Sequence, residues 1–189
     1  LYQCCKCGTE FEMYSSGTTL ECRHCGKKWE MTEYGRLEAH DGDTKFAHIP
    51  DWFRWERENV KREVEAGTYR IEDDIEVHTL PKNKYFAQGR GKFRQDSTGT
   101  HFYCNYYGEP FEMHLAPNQL ESVHIEFDYR DRKKKEFFGD CLDISKHDDS
   151  FWIHPVNIRD CIMKISFATL ELYQLEHRKL KEKKTDNDG

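Results

Sequence analysis

Two short strings carry the sharpest chemistry in this chain: Cys4-Cys5-Lys6-Cys7-Gly8 and Cys22-Arg23-His24-Cys25-Gly26. Two residues between thiolates let one tight turn present both sulfurs to the same ion, and the glycine that follows accepts a backbone angle a side chain resists. Two facing turns of this kind close a tetrahedral shell, with no position left for water or substrate. The spacing therefore predicts a structural zinc held by Cys4, Cys7, Cys22 and Cys25. Disulfides need an oxidising compartment, and paired spacing at both ends is what metal binding wants. Thioredoxin-type redox chemistry uses one such turn at the start of a helix, not two turns flanked by strand-like residues. Cys5 leaves the register open, because Cys5 with Cys7 has only one residue between. Cys104, Cys141 and Cys161 are scattered without metal spacing and read as buried free thiols of a reducing cytoplasm.

The remaining inventory of reactive groups is thin. Of ten histidines, His78, His114 and His124 fall on alternating stretches where a surface or cross-strand place is the default. Asp140, Asp143, Asp148 and Asp149 with His147 and His154 form the one dense cluster of candidate acids, bases or oxygen ligands, and they carry the alternative of a self-contained hydrolase. No nucleophile elbow, phosphate loop or His-Glu-x-x-His stands in the sequence. No reaction is named by these residues.

The elements that must position the cysteines are short. Phe11 and Met13 before Ser15-Ser16-Gly17, Leu20 after it, and Trp29 and Met31 past the second turn describe a small antiparallel sheet. Residues 1–40 thus read as a zinc ribbon, too small to fold without its metal, so that metal loss is expected to unfold it to about residue 38. Over these residues Lys6, Arg23, Lys27, Lys28 and Arg36 face Glu10, Glu12, Glu21, Glu30, Glu33 and Glu38, five against six, for a charge of −1. Four thiolates on a divalent ion add about two more negative charges. Such a ribbon is a poor phosphate clamp, and a net charge of −6 for the whole chain argues the same. A nucleic-acid-binding ribbon protein is the disfavoured alternative.

Residues 41–67 read as a linker and connecting helix, capped by Asp51, striped by Trp52, Trp55, Val60 and Val64, and stopped by Gly67. From residue 68 the period becomes two: Ile75 and Val77; Phe102, Cys104 and Tyr106; Phe111, Met113 and Leu115; and Val123, Ile125, Phe127 and Tyr129 against His124, Glu126 and Asp128. With further strands at 141–144, 151–153 and 161–167, residues 68–177 predict an antiparallel β-sandwich or partly open barrel, closed by a C-terminal helix capped by Thr169. The fold class is mainly β (α+β). Its order of elements is that of pleckstrin-homology-like domains. Residues 178–189 read as a polar tail with too little apolar surface to order. No run approaches the roughly 20 apolar residues of a bilayer span. The start at Leu1, with no leader, reads as an excised segment of something longer.

On these residues rests a resemblance. Cys-x-x-Cys-Gly-Thr-Glu-Phe-Glu-Met, Leu20-Glu21-Cys22-x-x-Cys25-Gly26-Lys27-x-Trp29-Glu30-Met31, Phe46-x-His48-Ile49-Pro50-Asp51-Trp52-Phe53-x-Trp55-Glu56-Arg57 and Phe167-Ala168-Thr169 resemble the C-terminal extension of bacterial 1-acyl-sn-glycerol-3-phosphate acyltransferases, over about residues 2–175. The resemblance implies that the partner is the chain's own N-terminal acyltransferase domain, working at the cytoplasmic face of the cell membrane. That family's His-x-x-x-x-Asp signature occurs at none of the ten histidines, so no catalytic residue carries over. Cys4, Cys7, Cys22 and Cys25 match the extension's metal positions; Cys5 stands where proline is more usual, and the stretch from Arg130 to Phe138 is longer and more basic. The expectation is a non-catalytic accessory or regulatory module. Its basic stretch, Arg130, Arg132, Lys133, Lys134 and Lys135 beside Phe137 and Phe138, with a second basic run from Arg178 to Lys184, is the candidate contact with an anionic membrane.

Overall fold

The computed structural model describes residues 1–80, 86–131, 136–146 and 149–187, with 128–131, 136–138, 146, 184, 186 and 187 described by backbone alone. The chain is mainly β and forms two compact units, Leu1–Asn59 and Val60–Gly189.

The first unit holds a four-stranded antiparallel sheet in the order β1 (Met13–Ser16), β2 (Thr19–Cys22), β3 (Lys28–Met31), β4 (Leu37–Ala39). Gly17, at φ 60°, takes the left-handed angle that lets Ser16 pair with Thr19 across a two-residue turn. Trp29 and Leu37 are buried beneath the sheet, with Tyr2 and Trp52. Trp52 belongs to α1 (Ile49–Glu65) and meets Trp29 edge-on at 4.9 Å between centroids. The helix begins two residues before Asp51, which sits inside its first turn and pairs with Arg54 at 3.0 Å, so the expected cap there is replaced by a first-turn acid. Gly67, at φ 69°, ends the helical path as expected, while the Thr68 amide reaches back to the Glu63 carbonyl. Lys27 fixes the joint after β4: almost buried, it binds Asp41 and Asp43 at 3.2 Å each and donates to the Asp43 carbonyl at 2.7 Å.

The second unit is built on one seven-stranded antiparallel sheet, in the order β8 (Glu109–Leu115), β7 (Gly99–Tyr106), β6 (Phe86–Asp96), β5 (Arg70–Thr79), β11 (Asp149–Pro155), β10 (Glu136–Lys146), β9 (His124–Asp131). It is neither two packed sheets nor a closed barrel. It does curl. β8 and β11 stand four places apart, about 19 Å in a flat sheet at ~4.8 Å per strand. Yet Phe111 and Phe151 stack at 5.2 Å, and Phe102 lies 5.4 Å from Phe151. Along this concave face Ile75, Val77, Phe93, Phe102, Leu142 and Ile153 are buried.

The C-terminal third corrects the sequence reading. Residues 161–167, expected as a strand, open α2 (Ile162–Asn187) instead, and the run 178–187, expected as an unordered tail, continues that helix. The stretch Cys161-Ile162-Met163-Lys164-Ile165-Ser166-Phe167 satisfies a period of two by accident. Burial of Ile162, Ile165, Ala168 and Leu172 on one stripe is what decides for the helix. Thr169 lies inside α2 and does not cap it; its hydroxyl donates to the Ile165 carbonyl at 2.8 Å. It also accepts from Gln95 Nε2 at 2.9 Å. That amide reaches Thr100 Oγ1 at 2.9 Å too, while Tyr69 donates to Gln95 Oε1 at 2.7 Å. This fully buried glutamine joins the sheet to the helix.

Candidate metal centre

Each Cys turn is shaped by its own backbone. The Gly8 amide bonds the Cys4 carbonyl at 2.9 Å and the Gly26 amide bonds the Cys22 carbonyl at 2.8 Å, with both glycines left-handed at φ 78° and 72°. The turns are held together because β1 and β2 pair Met13 with Cys22, while Gln3 bridges Glu10. Facing turns then bring four sulfurs within 4.8 Å of one another: Cys4, Cys7, Cys22 and Cys25.

The spacing discriminates between chemistries. Cys4 Sγ lies 3.8 Å from Cys25 Sγ, and Cys7 Sγ lies 3.8 Å from Cys22 Sγ. A disulfide needs about 2.05 Å. A tetrahedral ion with metal–sulfur arms of about 2.3 Å has edges of about 3.8 Å. All eight cysteines are free thiols. The amides of Lys6 and Cys7 point at Cys4 Sγ and those of His24 and Cys25 at Cys22 Sγ, an arrangement that favours thiolates. Without an ion, burial still pushes the Cys4 and Cys22 thiols up, whereas the Thr9 hydroxyl and amide pull the exposed Cys7 down to about 5. The set fits a metal ion: two buried and two exposed sulfurs, presented by rigid turns. Thr9 Oγ1 sits 3.3 Å from Cys7 Sγ and 3.1 Å from His24 Nδ1, a contact outside the sulfurs that spacing alone did not single out.

Cys5 is resolved by position. It is buried, lies outside the sulfur cluster, and burial pushes its thiol up to about 11. Cys104, Cys141 and Cys161 are likewise buried free thiols, pushed by burial to about 11, 12 and 12.

Among the described members of the acid cluster from Asp140 to His154, Asp143 pairs with Trp152, two residues from His154, so Asp143 and His154 share a face of the sheet, and Asp149 falls on the other. Asp149 is structural, accepting from the Leu80 amide at 3.1 Å and the Tyr106 hydroxyl at 2.9 Å. His154 packs edge-on against His78 at 5.0 Å, both buried. Asp143 pairs across the sheet with Trp152 on one side and His124 on the other, and burial pushes its carboxyl up. Asp140 sits half-buried beside the bulge at Gly139, and His147 and Asp148 lie outside the described residues. Of the membrane candidates, Arg132, Lys133, Lys134 and Lys135 lie outside the described residues, and Arg130 pairs with Phe137 through the backbone, one residue before Phe138. Phe127, expected on the apolar face of its strand, is 60% exposed, because β9 is an edge of the sheet. An open groove over β5, β6 and β7 is lined by Glu72, Asp74, Lys92, Arg94, His101 and Tyr103. Its bases already have acid partners, Lys92 with Asp74 at 3.4 Å and Arg94 with Asp96 at 3.3 Å.

No family model, curated protein or solved structure matches the chain. No described helix is long and apolar enough to cross a membrane.

Proposed function

We propose that Cys4, Cys7, Cys22 and Cys25 hold one structural zinc in a ribbon, and that the chain is a non-catalytic accessory module of a lysophospholipid acyltransferase. The observation that carries the first part is the pair of 3.8 Å sulfur contacts. Four sulfurs leave no coordination position for substrate, so the ion supplies folding energy and no reaction step. The acyltransferase part rests on the sequence resemblance. The strand order β8-β7-β6-β5-β11-β10-β9 followed by α2 supports a pleckstrin-homology-like reading of the second unit. A peripheral place at the inner face of the cell membrane, through the basic stretch from Arg130 to Phe138, belongs to the same proposal.

Elemental analysis of protein purified without chelator should find one zinc per chain; none, or disulfides among these four cysteines, refutes the metal. The chain supplied with acyl donor and lysophosphatidate should give no acyl transfer. A His-x-x-x-x-Asp signature upstream of Leu1 in the parent sequence is the expected finding, and turnover by this chain alone overturns the accessory role. Co-sedimentation should favour anionic over neutral vesicles at low salt; equal, negligible binding removes the membrane contact.

A further inference from the structure

The first Cys turn is held from outside by helix α1. Trp52, Glu56 and Asn59, spaced i, i+4, i+7, lie on one stripe of the helix. Together they bond the two residues that lead into Cys4: Glu56 reaches both, and Trp52 and Asn59 reach Gln3. Glu56 Oε1 accepts from the Tyr2 amide at 2.7 Å and the Gln3 amide at 2.8 Å. Trp52 Nε1 donates to the Gln3 carbonyl at 2.9 Å, and Asn59 Nδ2 donates to Gln3 Oε1 at 2.6 Å. The Tyr2 carbonyl accepts from the Phe11 amide at 2.6 Å, so every backbone polar group of Tyr2 and Gln3 has a partner. Glu56 is fully buried, as are Tyr2 and Trp52. Burial pushes the Glu56 carboxyl up and its Oε2 has no partner, so the two amides on Oε1 are what make the group tolerable there; losing them would leave a buried carboxyl unsatisfied. Segment 2–3 and the helix therefore hold each other, and the segment is covalently one residue from a metal ligand.

We infer that residues 49–59 of α1 belong to the metal-binding unit: Trp52, Glu56 and Asn59 are positioning residues for the first Cys turn, and release of the ion undocks the helix along with the sheet. This rests on the metal reading above and extends it. The unit that depends on the ion then runs past residue 38, the limit set by the four cysteines and their strands, to residue 59. By linkage, whatever factor helix docking contributes to metal affinity, the metal contributes to docking. Groups that bond a ligating side chain itself are worth 10–100-fold in affinity; these three act through the residue before the ligand, so the lower end, about tenfold, is the scale expected.

The test uses the full chain, zinc, and hydrogen exchange with a competing chelator. Zinc removal should raise exchange at 49–59 together with 1–39. Glu56→Ala should weaken zinc binding about tenfold, and Asn59→Ala severalfold, with Glu58→Ala on the exposed side of the same helix unchanged. Glu56→Gln, which keeps the acceptor for both amides, should recover most of the loss. Helix amides that stay protected after zinc leaves, or Glu56→Ala and Asn59→Ala variants that bind zinc as tightly as the parent, overturn the inference while leaving the metal site standing. A chain that takes up no zinc at all overturns both.

Discussion

Replacing Cys4 and Cys5 in turn by serine separates the two possible registers of the first turn. Cys4 is fully buried with its sulfur 3.8 Å from that of Cys25, whereas Cys5 lies outside the cluster. Four-sulfur sites bind zinc with about 10–16 kcal/mol. An equal share per sulfur is about 3 kcal/mol, which at ~1.4 kcal/mol per tenfold is a loss of roughly 100-fold or more for Cys4→Ser. Cys5→Ser removes no ligand. It places a hydroxyl where burial holds the thiol neutral, and should cost about 1–3 kcal/mol of stability with no change in zinc stoichiometry. Chelator competition gives the affinities. Cobalt(II) in place of zinc gives the sulfur count, since sulfur-to-metal absorbance should fall by about a quarter for Cys4→Ser and stay level for Cys5→Ser. Loss of zinc from Cys5→Ser with Cys4→Ser unaffected refutes the assignment.

Two further outcomes concern the second unit. Gln95→Leu withdraws the acceptor of the Tyr69 hydroxyl and the donor shared by Thr100 and Thr169, all three buried, so at about 1–3 kcal/mol for a lost buried hydrogen-bond partner it should cost about 3 kcal/mol in a urea titration; a loss under about 0.5 kcal/mol means water takes over these contacts. Burial, then His114 and Arg94, hold His101 below its usual value near 6.5, so the unfolded chain takes up a proton there that the folded chain does not. Stability should therefore fall as pH drops through 6.5 toward the lowered folded value, and His101→Gln should flatten that part of the pH profile of the urea midpoint; an unchanged slope in the variant removes His101 as its source.

The two Cys turns, the strands around them and most strands of the second unit are legible in the sequence because each obeys a local rule: a ligand gap of two, a glycine after it, a period of two. Where two local rules fit one stretch, neither decides. Residues 161–167 alternate well enough for a strand, and the choice of helix is made by the stripe Ile162, Ile165, Ala168 and Leu172, which is buried as a whole. The edge position of β9 is equally invisible to periodicity, and it leaves Phe127 exposed on a strand whose pattern asks for burial.

Glu56 and Gln95 were silent for a different reason. A glutamate in an amphipathic helix and a glutamine in an alternating strand read as surface, and nothing within their own windows says otherwise. Glu56 meets its partners 54 and 53 positions away, and Gln95 meets Thr169 at 74. Each is fully buried, and each is tolerable only in the assembled unit, since the same side chain without its partners would oppose folding. Such residues specify an arrangement more than they add to its stability. A helix stripe of Trp52 and apolar residues would bury against the small sheet in several rotations, but only one presents Glu56 to the Tyr2 and Gln3 amides and so sets where Cys4 begins its turn. On this argument Glu56→Leu should retain helix content yet lose the single well-ordered position of the first turn, seen as broadened or doubled amide resonances at residues 2–8 in the zinc-loaded chain. One sharp set of resonances there would mean that the four sulfurs and their ion fix the turn without help from the helix.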